Sequence, residues 1–188
     1  MGVEESGGSV LSEALERARQ MIGKPYEWIA LGLLEGEASL AYALRKVLTA
    51  ELGPEEGSRL VAKVWHLRAK LFAQRFLEEN PVAKPDVLHV GLIAKAWWER
   101  EFAIPYEIIE NTPERHVGRI PMCPYWEVMR SMYGLGPTEV YVREALTETT
   151  VAEFKGIAEA LGLDVEVEVR KLICCGDDEC LFIVRKAR

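Results

Sequence analysis

Positive charge is the first thing this 188-residue chain is short of: 23 Lys and Arg against 30 Asp and Glu leave a formal net charge of −7. The basic residues are scattered, apart from a short Arg185-Lys186-Ala187-Arg188 end. Phosphate binding needs a concentrated basic face, so a nucleic-acid binder is excluded. No stretch reads as a membrane span, and Met1 to Val10 is acidic and Gly/Ser-rich, unlike a signal peptide. A cytoplasmic protein is expected, with neither nucleic acid nor membrane as partner. Side-chain amides are scarce, limited to Gln20, Gln74, Asn80 and Asn111, while Glu, Lys and Arg abound, a thermophile-like balance. In such an organism an intracellular disulfide is permitted, so compartment alone does not decide the state of the cysteines. The three histidines, His66, His89 and His116, stand alone on their elements, so no paired-histidine metal motif exists.

What is present suits a globular domain, since 49% of residues are hydrophobic. Helical periodicity predicts helices over Val10 to Ile22, Tyr26 to Leu52 and Pro54 to about Glu79, the last with a stripe of Leu60, Val64, Leu67 and Leu71 beside Val61, Trp65, Phe72 and Phe76. The second is apolar on several faces, which suggests burial or a homodimer formed through the N-terminal helices. After the Asn80-Pro81 and Lys84-Pro85 break comes a helix from Asp86 through Trp97-Trp98. Strands are expected over Phe102 to Glu110 and Val117 to Met122, then a helix from Pro124 to about Tyr133. A helix over Thr138 to Leu161, interrupted near Thr147 to Thr150, precedes a closing hairpin of Val165 to Ile173 and Cys180 to Val184. The fold class is α+β: residues 1–84 form an N-terminal helical region, and 85–188 an α+β region whose antiparallel sheet of two hairpins packs on helices.

The cysteines carry the chemistry. Three of the four flank the Gly176-Asp177-Asp178 turn of the last hairpin: Cys174, Cys175 and Cys180. If Cys175 and Cys180 oppose each other their Cα atoms lie roughly 5 Å apart, which suits a disulfide or two ligands of one metal. By the strand period of two, Cys174 points to the other face. Cys123, Cys175 and Cys180 are the candidate ligands for zinc or another soft metal; disulfide pairing and simple burial as small hydrophobes are the alternatives. Cys123 sits at a strand-to-helix junction, where the amide dipoles lower a thiol pKa, so it is the candidate nucleophile. His116 and Glu127 are the candidate proton shuttles, and Arg119 is placed to hold a carboxylate. Trp97, Trp98, Tyr106, Tyr125 and Trp126 are the candidate lining of an apolar ligand pocket.

The segment Arg119-Ile-Pro-Met-Cys123-Pro124-Tyr125-Trp126-Glu127, with Gly176-Asp177-Asp178-Glu179-Cys180-Leu-Phe after it, resembles the L-2-amino-thiazoline-4-carboxylate hydrolase-like family. The closing hairpin also resembles that of the 4-vinyl reductase domain, a small-molecule-binding module related to TRAPP tethering subunits. The likeness covers Trp97 to Val184 and singles out Cys123, Asp177 and Cys180. The chain departs from the family pattern in having no cysteine over Tyr141 to Ala160 and in its extra Cys174 and Cys175. The resemblance implies a small-molecule ligand in an apolar-aromatic pocket near Cys123. Its enzymatic version is hydrolysis of a C–N or C–S bond in a small cyclic amidine-like acid, with Cys123 attacking. A third expectation is a dimeric assembly subunit without chemistry.

Overall fold

Helix α1 (Tyr26–Leu52) runs into helix α2 (Pro54–Glu79) through Gly53, whose φ of 84° strains any residue with a Cβ. Pro54 then opens α2 in the first turn, where its missing N–H costs no hydrogen bond. The computed structural model describes residues 26–135 and 140–187, with side chains over 30–135 and 146–187, so the helix expected at Val10 to Ile22 lies outside the described residues. Helix α3 (Val87–Phe102) starts beside Asp86, whose Oδ1 lies 2.7 Å from the His89 ring. It ends at Ala103, a left-handed cap with φ 50°. Strands β1 (Glu107–Asn111) and β2 (Arg115–Ile120) follow, then helix α4 (Pro124–Tyr133), helix α5 (Val140–Ala160), strand β3 (Val165–Lys171), a 3-10 turn at Ile173–Cys175, and strand β4 (Cys180–Lys186).

The sheet order is β1-β2-β4-β3 with every neighbour antiparallel, so the two hairpins join edge to edge through β2 and β4. The expected α+β architecture is the observed one. Helices α3 and α5 cover one face of the sheet, and α2 lies along α5. The core crosses residue 84 without a break: Val61, Trp65, Ala69 and Phe72 of α2 pack in one cluster with Trp97, Trp98, Phe154 and Phe182.

Several local expectations change. The strand expected from Phe102 starts only at Glu107, because α3 holds its helix through Phe102 and buries that ring. The expected interruption of α5 is absent: the helix runs unbroken through Thr147 to Thr150, and Thr150 turns its hydroxyl back to the Leu146 carbonyl at 2.8 Å instead of drawing the backbone out of the helix. On α2 the buried stripe is Val61, Trp65, Ala69 and Phe72, while Val64, Leu67 and Leu71 are exposed. Both stripes satisfy the helical period, and the one carrying two large rings buries more apolar area. Leu33, Leu40 and Val47 of α1 are exposed as well, seven residues apart.

The sheet's second face carries ion pairs. Arg119 pairs with Glu107 and, at 3.7 Å, with Glu179; Arg115 pairs with Glu110, and Arg185 with Glu168 at 3.0 Å. Lys171 reaches Asp178 at 3.0 Å and Glu179 at 3.1 Å. Beneath this layer Val117 and Ile183, directly paired across β2 and β4, stay buried, as long charged side chains lay their stems over apolar neighbours.

Candidate functional site, an aromatic cavity with a buried acid

Between the sheet's covered face and the helices lies a cavity of about 130 Å³. One water needs roughly a tenth of that, and an apolar cavity of about 150 Å³ is known to admit benzene, so the space suits a single ring. Trp65 of α2, Trp98 and Phe102 of α3, and Phe182 of β4 supply aromatic wall. Tyr125, Trp126 and Met129 of α4 close another side, and Ile104, Ile120 and Leu135 fill in. Trp98 is wedged by Phe154 and Phe182, with ring centroids at 5.2 and 5.0 Å, so the wall is fixed by packing.

The polar groups come from two helices and the thiols. On α1, Ala41, Tyr42 and Arg45 line the space; on α5, Leu146, Thr149, Thr150 and Glu153 do. Arg45 and Thr149 are buried, and the Arg45 Nη2 donates to Thr149 Oγ1 at 3.3 Å. Glu153 lies one turn further along α5 and is 6% exposed. Trp97 Nε1 donates to its Oε1 at 3.1 Å, and Trp98 acts on the same carboxyl. Removal from water pushes the Glu153 carboxyl up to about 8, outweighing both indoles and the Arg68 charge. Arg68 stands behind the wall, 5.0 Å from the Trp65 and Phe102 ring centroids, and pairs with Glu37 and Glu101.

Cys123 caps α4, its Sγ accepting from the Trp126 N–H at 3.4 Å. Burial nevertheless pushes this thiol up to about 11, against the lowering expected at a helix start. The two cap hydrogen bonds lower it by less than desolvation raises it. Burial likewise pushes Cys180 up to about 12 and raises Cys174 and Tyr125. The 3-10 turn undoes the expected facing of the hairpin thiols. With three residues per turn in place of two, Cys174 swings inward to line the cavity with Cys180 and Cys123, while Cys175, half-buried, is not part of the lining. Asp177 fastens that turn: its Oδ2 accepts from the Leu172 N–H at 2.8 Å. All four cysteines are free, and among the described residues no group of three or more His, Cys, Asp and Glu is arranged to hold a metal.

Of the expected site residues, the cavity gathers Cys123, Cys180, Trp98, Tyr125 and Trp126. Trp97 and Tyr106 are buried in the core beside it, each 1% exposed. Arg119 lies on the sheet's other face in ion pairs, and Glu127 is exposed and paired with Arg130 at 2.7 Å. His116 is buried beneath α3, between the Tyr106 hydroxyl at 2.7 Å and Asn111 Oδ1 at 2.9 Å. His66 and His89 pair with Glu159 and Asp86. The sequence reading missed Arg45, Thr149, Glu153 and Cys174. For the α5 pair a signal exists: Thr149 and Glu153 stand at helical spacing with the buried Ile157, polar positions inside an apolar stripe.

No family model matches the chain, and no curated protein matches it either. Solved structures do. The fold is similar to that of the phenol-responsive sensory domain of the transcription activator PoxR with phenol, at a TM-score of 0.58 and 17% identity over 79% of this chain and 73% of that one. It is also similar to trafficking protein particle complex subunit 3 from Naegleria fowleri covalently bound to palmitic acid, at a TM-score of 0.54 and 15% identity over 81% and 96% of the two chains. At such identities the likeness is one of fold.

Proposed function

We propose that this chain is a small-molecule-binding domain that holds an apolar, ring-sized ligand in the aromatic cavity beside Cys123. The cavity itself carries the reading: an apolar-lined space, larger than water needs, with a few convergent polar groups. Two structures that share the fold, a phenol-responsive sensory domain with phenol and a palmitate-bound trafficking subunit, support it. Within the family resemblance, this reading favours the 4-vinyl reductase-like, binding side. Hydrolysis through Cys123 has less behind it. The buried thiol stays protonated near neutral pH, and neither proposed shuttle, His116 or Glu127, lines the cavity.

Thermal unfolding against increasing toluene and phenol tests the reading, since a ligand that binds only the folded state raises Tm with concentration. Tm is expected to rise with both, and the rise to shrink in Ala41→Trp, which fills the space. An unchanged Tm up to the solubility limit of both compounds would remove the proposal. The exposed apolar residues Leu33, Leu40, Val47, Val64, Leu67 and Leu71 support a homodimer through the N-terminal helices. Sedimentation velocity giving only monomer at high micromolar concentration would remove that part.

A further inference from the structure

Glu153 is the acid that lines this cavity among the described residues, and its surroundings restrict what it can do. Its carboxyl is reached by the indole N–H groups of Trp97 and Trp98. Indoles donate and never accept. They satisfy the acid's oxygens and leave the hydrogen of the neutral acid without an acceptor from either ring. The α5 hydroxyls that share the space, Thr149 and Thr150, are bonded to Arg45 and to the Leu146 carbonyl, and most of the remaining wall is aromatic, aliphatic or thiol. A buried O–H donor without an acceptor is costly, so a ligand oxygen that accepts from it is favoured.

Resting on the binding reading above, we propose that Glu153 is the specificity-determining residue of the cavity: its carboxylic acid donates a hydrogen bond to an uncharged oxygen, a carbonyl or hydroxyl, on an otherwise apolar ligand. Burial keeps the acid protonated at neutral pH and so supports the donor role. A cationic ligand is disfavoured, because an ion must give up its hydration to enter this apolar space. An anionic ligand must give up its hydration to enter an apolar space, at a larger cost than a neutral oxygen incurs. The ligand class is therefore a small ketone, aldehyde or alcohol built on one ring or a branched hydrocarbon of that size.

Cyclohexanone and methylenecyclohexane share one shape and differ in a carbonyl oxygen against a methylene, so the ratio of their affinities reads the hydrogen bond. Calorimetric titration at pH 7 is expected to show the ratio favouring the ketone by about tenfold more in the wild type than in Glu153→Leu. Glu153→Gln, whose amide also donates, is expected to keep the preference. The wild type provides a second reading that needs no variant to fold. Ketone affinity is expected to fall as pH rises past about 8, where the acid loses its hydrogen, while the hydrocarbon's stays level. Arg68 of α2 acts on Glu153, Tyr42 and Arg45 of α1 and Cys174 and Cys180 of the last hairpin share its cavity, and so do Cys123 and Tyr125 at the start of α4. Burial holds the last two protonated through that window. The ratio and its pH course remaining the same in Glu153→Leu, with both compounds bound, would overturn the assignment and leave the binding reading intact. Cyclohexanecarboxylate bound more tightly than cyclohexanone would also overturn it. If neither cyclic compound binds the wild type, the Glu153 assignment falls, and the toluene and phenol titrations decide the binding reading separately.

Discussion

Among the described residues, polar side chains are buried in two places on the same side of the sheet, and the two are built in opposite ways. Under α3, Tyr106, His116 and Asn111 form a filled chain of hydrogen bonds. The Asn111 oxygen only accepts, so His116 Nδ1 carries its hydrogen and Nε2 accepts from the Tyr106 hydroxyl, while Asn111 Nδ2 donates to the Leu88 carbonyl at 3.1 Å. Gly91 and Gly118 press against this group so closely that a Cβ on either would overlap its atoms. Around Glu153, by contrast, the partners are donors and a ring-sized space adjoins them. A closed polar network with no free volume holds the sheet to the helix, whereas polar groups beside free volume are available to a ligand. That difference, more than residue type, separates His116 from Glu153.

The filled region should break first and hardest. Gly118→Ala sets a methyl on the Tyr106 hydroxyl, and the buried rings of Tyr106 and His116 leave no room to yield. It is expected to cost about 3 kcal/mol, read as a fall in the urea midpoint. The same substitution at Gly134, where an added Cβ meets nothing but φ is 65°, should cost clearly less.

The pH dependence of stability should then separate the regions by sign. Glu153 has a folded pKa raised to about 8 from 4.5, so the native state holds a proton that the unfolded chain releases. Stability from this group therefore falls as pH rises from about 4.5 to about 8 and is level beyond. His116 has a folded pKa lowered to about 4 from 6.5, so its contribution is present above about 6.5 and is lost as pH falls to about 4. Glu153→Gln is expected to remove the first slope and raise stability at pH 8 by on the order of 2 kcal/mol. A variant whose urea midpoint keeps the wild-type pH course between 5 and 8 would show that the carboxyl is not neutral when folded.

A smaller effect follows from breaking one link of the filled network. Tyr106→Phe removes the donor to His116 Nε2 and leaves a buried acceptor unsatisfied, at a cost of about 1–2 kcal/mol. Binding of a ring-sized compound in the cavity should be unchanged, since Tyr106 does not line it.

Periodicity and turn residues made the elements legible: α1, α2 and α4 begin and end where Pro, Gly and apolar spacing predict. What they left open is which face turns inward. On α2 two stripes fit the same period, and packing against Phe102 and Trp97 chose the one with Trp65 and Phe72. At the last hairpin a three-residue 3-10 turn, set by Asp177 and Gly176, exchanged the facing of Cys174 and Cys175. The site was legible in part for the same reason. Cys123, Tyr125 and Trp126 are neighbours in sequence, whereas Arg45, Glu153 and Cys174 come together only when α1, α5 and the hairpin meet around one space.

The smallest expected effect tests Cys123, the residue that the sequence marked most strongly. As the cap of α4 it offers a weak sulfur acceptor to the Trp126 N–H. Serine is a far better cap, yet its hydroxyl would be buried against an apolar wall, and the two effects offset. Cys123→Ser is therefore expected to change stability by less than about 1 kcal/mol and the affinity for toluene by less than about threefold. Urea titration and calorimetry check both numbers. A loss of binding with stability unchanged would mean that the thiol itself contacts the ligand, and would shift the polar end of the cavity from Glu153 towards the cysteines. If both quantities hold, Cys123 is part of the frame that positions Tyr125 and Trp126, and the open side of the molecule tolerates at its cysteine what the filled side does not tolerate at Gly118.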